Sequence, residues 1–376
     1  MNSESPRHIL VRGVNWLGDA VMTTPTVLRL RERFPDARIT LLCPEKLRDL
    51  WTSHPAVDAV LTFAPGEGLM SVSRGLRGIR ADLALILPNS LRSALEIWLA
   101  GIPRRVGSGR FPRTLCLTDR VVADPGTVRM RKRTEAEVRR LAGSPEAGNL
   151  RRNAYPTDSH QLHHYLRLAG HLGADPTPVP PRLRAGEAAT RTMTLRLGDA
   201  LASGTPLIGL NAGAEYGPAK RWPLDRFSEA ARTIAARTPA HWILFGGRAD
   251  IPLARELAGR LQGLPVTVLA GETSLAELMA ALALCAVLVT NDTGPMHLAA
   301  ALGVPVVVPF GSTSPELTGP GLPGDPRHHL LLGDAPCAPC FLRECPVDFR
   351  CMDAIPAGRV VSATLEILSR TSGTSG

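Results

Sequence analysis

The chain has 376 residues, 44% hydrophobic and 20% charged, a globular composition too long for one ordinary core and suited to two domains of similar size. Its first residues, MNSESPRHILVRG, lack a basic stretch followed by an apolar one, and no run approaches the ~18 apolar residues of a membrane span, so neither leader nor spanning helix is expected and a cytoplasmic protein is. Of the net charge of +9, nearly all sits in residues 101–152, where thirteen Lys or Arg face five Asp or Glu: a solvated basic face, or a surface for nucleic acid, anionic lipid or a phosphorylated substrate, with aromatics at 4% arguing against base stacking.

In chain order, HILVR, RITLLC, VDAVLTF and DLALILP read as strands separated by helical segments such as AVMTTPTVLRLRERF and SLRSALEIWLAG. This repeated β-α-β pattern predicts an α/β domain on a parallel sheet. The first turn, GVNWLGD, brings a carboxylate, Asp19, to the start of a helix, where a nucleotide-binding turn would offer N–H groups to phosphate. Only Gly13 and Gly18 fall there, so the dinucleotide fingerprint G-x-G-x-x-G is not met. Asp19 reads either as an N-cap or as a base. The stretch 123–160 is polar and weakly periodic and reads as a mobile insertion in the first domain. Residues 173–191 are proline-rich and suit an extended linker.

PLIGLN, HWILFG, VTVLA, AVLVTN and VPVVVPF then repeat the scheme, predicting a second parallel-sheet domain. The expected organisation is residues 1–180, residues 181–355, a C-terminal helix over 356–370 and a disordered tail over 371–376. Ligands of open parallel sheets bind beyond the carboxyl ends of strands, which directs attention to two turns of the second half. NAGAEYGPAKRWP contains Lys220, one of only three lysines against forty arginines. TNDTGPMHLAAALGVP enters a helix at Pro295 with Asp292 and Thr293 as capping types. It reads as a well-capped helix, or as a phosphate site at the Thr293 and Gly294 N–H groups with His297 beside it.

There is no D-x-D, H-E-x-x-H, G-x-S-x-G or G-x-x-x-x-G-K-[ST], which removes the usual metal-diphosphate, zinc-protease, hydrolase and P-loop signatures. Near the C-terminus Cys337, Cys340, Cys345 and Cys351 show C-x2-C-x4-C-x5-C spacing, open to structural zinc, a disulfide pair or packed free thiols.

Taken together, VRGVNWLGDAVMTTP, LPNSLRSAL with AGIPRRVG, NAGAEYGPAKRWP and NDTGPMHLAAALGVPVV closely resemble, in this order, the ADP-heptose:lipopolysaccharide heptosyltransferases of Gram-negative bacteria, most closely their type II branch. The resemblance spans residues 8 to about 320 and implies a GT-B architecture. In that design two Rossmann-like domains face a central cleft, the acceptor on the N-terminal side and the nucleotide sugar on the C-terminal side. It implies an inverting transfer of L-glycero-D-manno-heptose from ADP-heptose to the first heptose of the lipopolysaccharide inner core, heptosyl-Kdo-lipid A, with no cofactor required for catalysis.

By motif, Asp19 matches the family's general base and Lys220 its donor-diphosphate contact, and Asp292, Thr293, Gly294 and His297 match its donor-binding segment. Asn89, Arg92, Arg104, Arg105, Arg110 and Arg113 become candidates for the acidic acceptor or for the anionic cytoplasmic face of the inner membrane. Glu215 and Tyr216 stand where type I enzymes carry hydroxyl residues, so those contacts do not transfer, and the cysteine cluster receives no role. The competing readings are a related transferase with another sugar or acceptor, a nucleotide-binding module without catalysis, and an NAD-dependent oxidoreductase.

Overall fold

Near-continuous apolar runs make strands that bury both faces, as all-parallel sheets require. In the computed structural model, which describes residues 5–123, 128, 130–144 and 155–372, these runs form two six-stranded parallel sheets in two separate units. Unit 1 comprises 1–127 and 160–184, and unit 2 comprises 128–159 and 185–376.

Unit 1 holds β1 (His8–Arg12), β2 (Arg38–Pro44), β3 (Ala59–Phe63), β4 (Leu83–Ile86), β5 (Arg104–Ser108) and β6 (Asp119–Val121), in the order β3-β2-β1-β4-β5-β6. Unit 2 holds β7 (Leu207–Asn211), β8 (His241–Leu244), β9 (Val266–Val268), β10 (Val287–Thr290), β11 (Val306–Phe310) and β12 (His329–Leu332), in the order β12-β11-β10-β7-β8-β9. Counted from its own first strand, each sheet has the same order, that of the Rossmann design.

The order fixes where a ligand crevice opens. Strand order reverses between β1 and β4 in unit 1 and between β7 and β10 in unit 2. In each case the two strands end level, with Arg12 opposite Ile86 and Asn211 opposite Thr290. The turns that follow them therefore emerge side by side, at the topological switch point of each sheet.

Three strands, β5, β6 and β12, were not expected. Arg104 and Arg105 give β5 the look of a basic loop, yet its Val106 and Gly107 are buried between β4 and β6.

The expected division at 180/181 assigned 128–159 to the first domain, whereas it belongs to unit 2. Its helix Glu135–Ala142, capped by the Thr134 hydroxyl, buries Val138 in the core of unit 2. The Arg133 N–H bonds Cys340 O at 3.0 Å, and Arg350 donates to Ala142 O at 2.7 Å. The expected insertion also includes residues 124–127, 129 and 145–154, which lie outside the described residues. The chain passes back into unit 2 after Arg184, through residues 174–186 without regular structure, and the helix Glu187–Arg196 begins within the expected linker. The C-terminal helix runs over Ala357–Ser372, packing on the helix Leu224–Ala235; of the expected disordered tail, 371 and 372 lie in that helix and 373–376 lie outside the described residues.

Candidate active site

At the switch point of unit 2, two turns are stitched together by side chains. Asn291, fully buried after β10, donates to Ala212 O at 2.8 Å and accepts the Trp222 N–H at 2.9 Å, tying both ends of the 212–222 loop to the β10 turn. Inside that loop Gly217 has φ 152°, and a Cβ there would stand 2.5 Å from Arg343 O, so only glycine fits. The tight passage leads into the single helical turn Pro218–Lys220, which aims Lys220 at the next turn.

Lys220 Nζ lies 2.6 Å from Asp292 Oδ2 and 5.0 Å from the Tyr216 ring centroid. The Thr313 hydroxyl donates to the same Asp292 oxygen at 2.6 Å. Both partners of the ion pair are largely shielded from water, with side-chain exposures of 14% and 4%. A compact ammonium held this way is an oriented point charge. The helix Gly294–Ala301 begins beside it. Thr293 is its N-cap but makes no side-chain capping bond, and Pro295 has no N–H to offer. His297 is buried one turn further on.

The loop after β11 joins this group, and sequence reading passed over it. Ser312 is buried, and its hydroxyl has no hydrogen-bond partner among the described residues, while the neighbouring Thr313 reaches Asp292. The legible signal was the sequence GSTSPE directly after an apolar strand, the same strand, hydroxyl-rich turn and Pro-headed helix as TNDTGP. The unit-2 switch point thus offers one oriented cation, hydroxyls and a helix start, a combination that receives a polyphosphate.

In unit 1 the helix Leu17–Arg33 has Trp16 as N-cap without a side-chain capping bond, which places Asp19 at its third residue. Asp19 is therefore not the N-cap, and its carboxylate stands within the favourable field of the helix start. The helix Gln161–Gly170 packs against this one, and burial, reinforced by the Asp19 charge, holds the Tyr165 hydroxyl well above its usual titration range.

The turn that carries Asp19 is fixed from below. Arg12, buried at the end of β1, donates to Gly13 O at 2.5 Å and Asn15 Oδ1 at 3.2 Å, and pairs with Glu96 at 2.8 Å. Glu96, also buried, takes Arg92 on its other oxygen at 3.0 Å. Because the pair is satisfied but dry, removing one side leaves a buried charge: Glu96→Ala is expected to cost about 3–5 kcal/mol in urea unfolding. A loss under about 1 kcal/mol would show that water reaches Arg12.

The candidate acceptor residues separate. Asn89 and Arg92 lie after β4 and Arg110 after β5, at the same carboxyl end of the sheet as Asp19, and all three are exposed. Arg104 and Arg105 open β5 at the opposite end. Arg104 pairs with Asp119 at 3.2 Å, and Arg105 donates to Cys116 O at 2.7 Å and Ile102 O at 2.6 Å. Arg113 is buried, spends its donors on the carbonyls of Pro88, Ser90 and Ser108, and burial lowers its pKa to about 10. Arg105 and Arg113 thus hold backbone, and Arg104 holds a carboxylate of the same sheet.

Of the three readings open for the cysteines, packed thiols are the one seen. Among the described residues no three His, Cys, Asp or Glu are grouped so as to hold a metal ion, so the spacing does not form a zinc site as placed. Cys337, Cys340 and Cys351 are packed into the apolar core of unit 2, and burial pushes the Cys337 and Cys340 thiols up. Cys345 stands half-exposed, with the Phe349 N–H 3.3 Å from its sulfur. None of the four is joined in a disulfide among the described residues.

Comparison with known proteins adds family to geometry. Residues 69–349 match the model of glycosyltransferase family 9 (heptosyltransferase). The lipopolysaccharide heptosyltransferase 2 of Salmonella typhimurium is 32% identical over 328 residues, covering 83% of this chain and 85% of that protein. The structure of Escherichia coli ADP-heptose lipopolysaccharide heptosyltransferase II superposes with a TM-score of 0.73 at 28% identity, covering 97% of this chain and 99% of that one. A family 9 glycosyltransferase from Veillonella parvula gives a TM-score of 0.77 at 23% identity, covering 97% of each chain, a likeness of fold.

Proposed function

Because the chain belongs to glycosyltransferase family 9, the heptosyltransferases, we propose that it transfers L-glycero-D-manno-heptose from ADP-heptose to the first heptose of the lipopolysaccharide inner core. The observation that carries this reading is the convergence of Lys220, Asp292, Thr313 and the Gly294 helix start at the unit-2 switch point. Unit 2 takes the donor, its diphosphate received by Lys220 and the helix start, with the Ser312 hydroxyl free to bond an oxygen of the donor. Asp292 orients Lys220, and His297 lines the donor helix. Unit 1 takes the acceptor through Asn89, Arg92 and Arg110 and supplies Asp19 as base.

In the transfer, the acceptor hydroxyl gives its proton to the Asp19 carboxylate as its oxygen forms a bond to the anomeric carbon. The bond from that carbon to the ADP oxygen breaks on the opposite face, and ADP leaves with the electron pair, its developing charge met by Lys220. Configuration at the sugar is inverted. The reaction belongs to the cytoplasmic face of the inner membrane, where a nucleotide sugar meets a lipid-linked acceptor.

The test is product analysis. Purified protein with ADP-heptose and a de-acylated heptosyl-Kdo acceptor is expected to release ADP and add one heptose, with anomeric configuration opposite to that of the donor. Transfer only to acceptors lacking the first heptose, or retention of configuration, would reject this assignment.

A further inference from the structure

The proposed acceptor is lipid-linked, yet among the described residues no helix is long and apolar enough to cross a membrane. Contact with such an acceptor then falls to a surface, and unit 1 carries an unusual one. β4, β5 and β6 form one edge of its sheet. Where each of them ends, the chain exposes a large apolar side chain: Leu91 opens the helix after β4, Phe111 follows β5 and Val122 follows β6. Phe111 is 78% exposed, and Leu115, on the same β5–β6 connection, is 70% exposed. Single exposed apolar residues need no explanation, but a run of them at one end of one sheet edge does.

The display is held in place. Arg113 lies between Phe111 and Leu115 in sequence, and its bonds to Pro88, Ser90 and Ser108 tie the connection to the turn leading into Leu91. Burying one side chain of the connection fixes the outward aim of its neighbours. Arg110 and Arg120 flank it, both exposed and neither with an acidic partner among the described residues. Apolar side chains that reach past cations with no protein carboxylate to meet them fit a layer of anionic headgroups over hydrocarbon.

We propose that the β5–β6 connection of unit 1 docks on an anionic lipid bilayer, with Phe111 and Leu115 entering the interface and Arg110 and Arg120 meeting the headgroups. The proposal rests on the reading that the acceptor is lipid-linked, and it adds the surface by which the protein reaches that lipid. Phe111 leaves β5 at its carboxyl end, the end of the sheet that carries Asp19.

Vesicle sedimentation of the whole chain tests it, with vesicles of phosphatidylcholine alone and of phosphatidylcholine mixed with phosphatidylglycerol. Wild-type protein is expected to bind the anionic vesicles about tenfold or more tightly than the neutral ones, and the Phe111→Ser/Leu115→Ser variant to lose roughly tenfold of that binding with an unchanged melting temperature. The variant is also expected to lose transfer to acceptor embedded in vesicles while using de-acylated, soluble acceptor at the wild-type rate. Equal binding to both vesicle types, equal binding by wild type and variant, or self-association through this face in place of vesicle binding would overturn the proposal. Absence of turnover on soluble acceptor by wild type would reject the transferase reading, and the vesicle arm would still decide the docking surface.

Discussion

Asp19→Asn is expected to lower turnover by about 100- to 10,000-fold, the usual contribution of a positioned general base, while leaving ADP-heptose affinity within a few-fold. The substitution keeps size and removes only the ability to accept a proton. Asp19 sits at the third residue of the helix Leu17–Arg33, where the helix start favours the ionised carboxylate. Donor binding belongs to the other unit in the proposed mechanism, so kcat and KM for ADP-heptose should part company. Steady-state kinetics with each substrate varied, together with ADP-heptose titration in the absence of acceptor, read this directly. Retention of more than half the wild-type turnover would remove Asp19 from the mechanism.

Lys220→Ala is expected to lower kcat/KM for ADP-heptose by roughly 100-fold, the scale of one electrostatic contact to a developing charge. The ion pair sharpens this expectation. Without the ammonium, Asp292 keeps only Thr313 as a donor of those seen, and a shielded carboxylate then faces the incoming diphosphate. The lysine variant therefore loses an attraction and uncovers a repulsion. Adding Asp292→Asn to Lys220→Ala should recover part of the loss, so the two effects are not additive. Lys220→Arg should rescue only in part, since a planar fork and a point charge differ in reach. Additive losses in the double variant would mean that Asp292 acts independently of Lys220.

Much of this architecture is written in apolar runs. Strands such as LALI and LIGLN are buried along their length, and runs of this kind announce a parallel sheet without help from context. β5 and β6 escaped because RRVGS opens on two arginines and DRV is three residues long with an arginine at its centre, so that their composition resembles a loop. Arginine was also the residue most easily misread. A basic cluster suggests an acidic ligand, but a guanidinium has five donors, and Arg113 places its own on backbone carbonyls, a choice that depends on burial and not on neighbours in sequence. Lys220 and Asp292 were legible as separate candidates. Their pairing across 72 residues was not, nor was the part of Thr313, since both depend on which strands become neighbours. The cysteine spacing invited a metal, yet apolar packing of Cys337, Cys340 and Cys351 decided where those sulfurs went.

The assignment of residues 128–159 to unit 2 has a consequence for the order of synthesis. The helix Glu135–Ala142 leaves the ribosome long before its partners exist, for Arg133 must wait 203 residues for Pro336, and Ala142 208 residues for Arg350. Unit 1 can close as soon as Arg184 has emerged, because β1 to β6 and the helix Gln161–Gly170 are then complete. Through that interval the segment is an excursion from a finished sheet, with Val138 exposed to solvent and to chaperones. The second unit cannot be assembled from its own contiguous stretch. A chain beginning at residue 185 would lack a piece of its core, and a chain ending before residue 350 would leave that piece without its clasp.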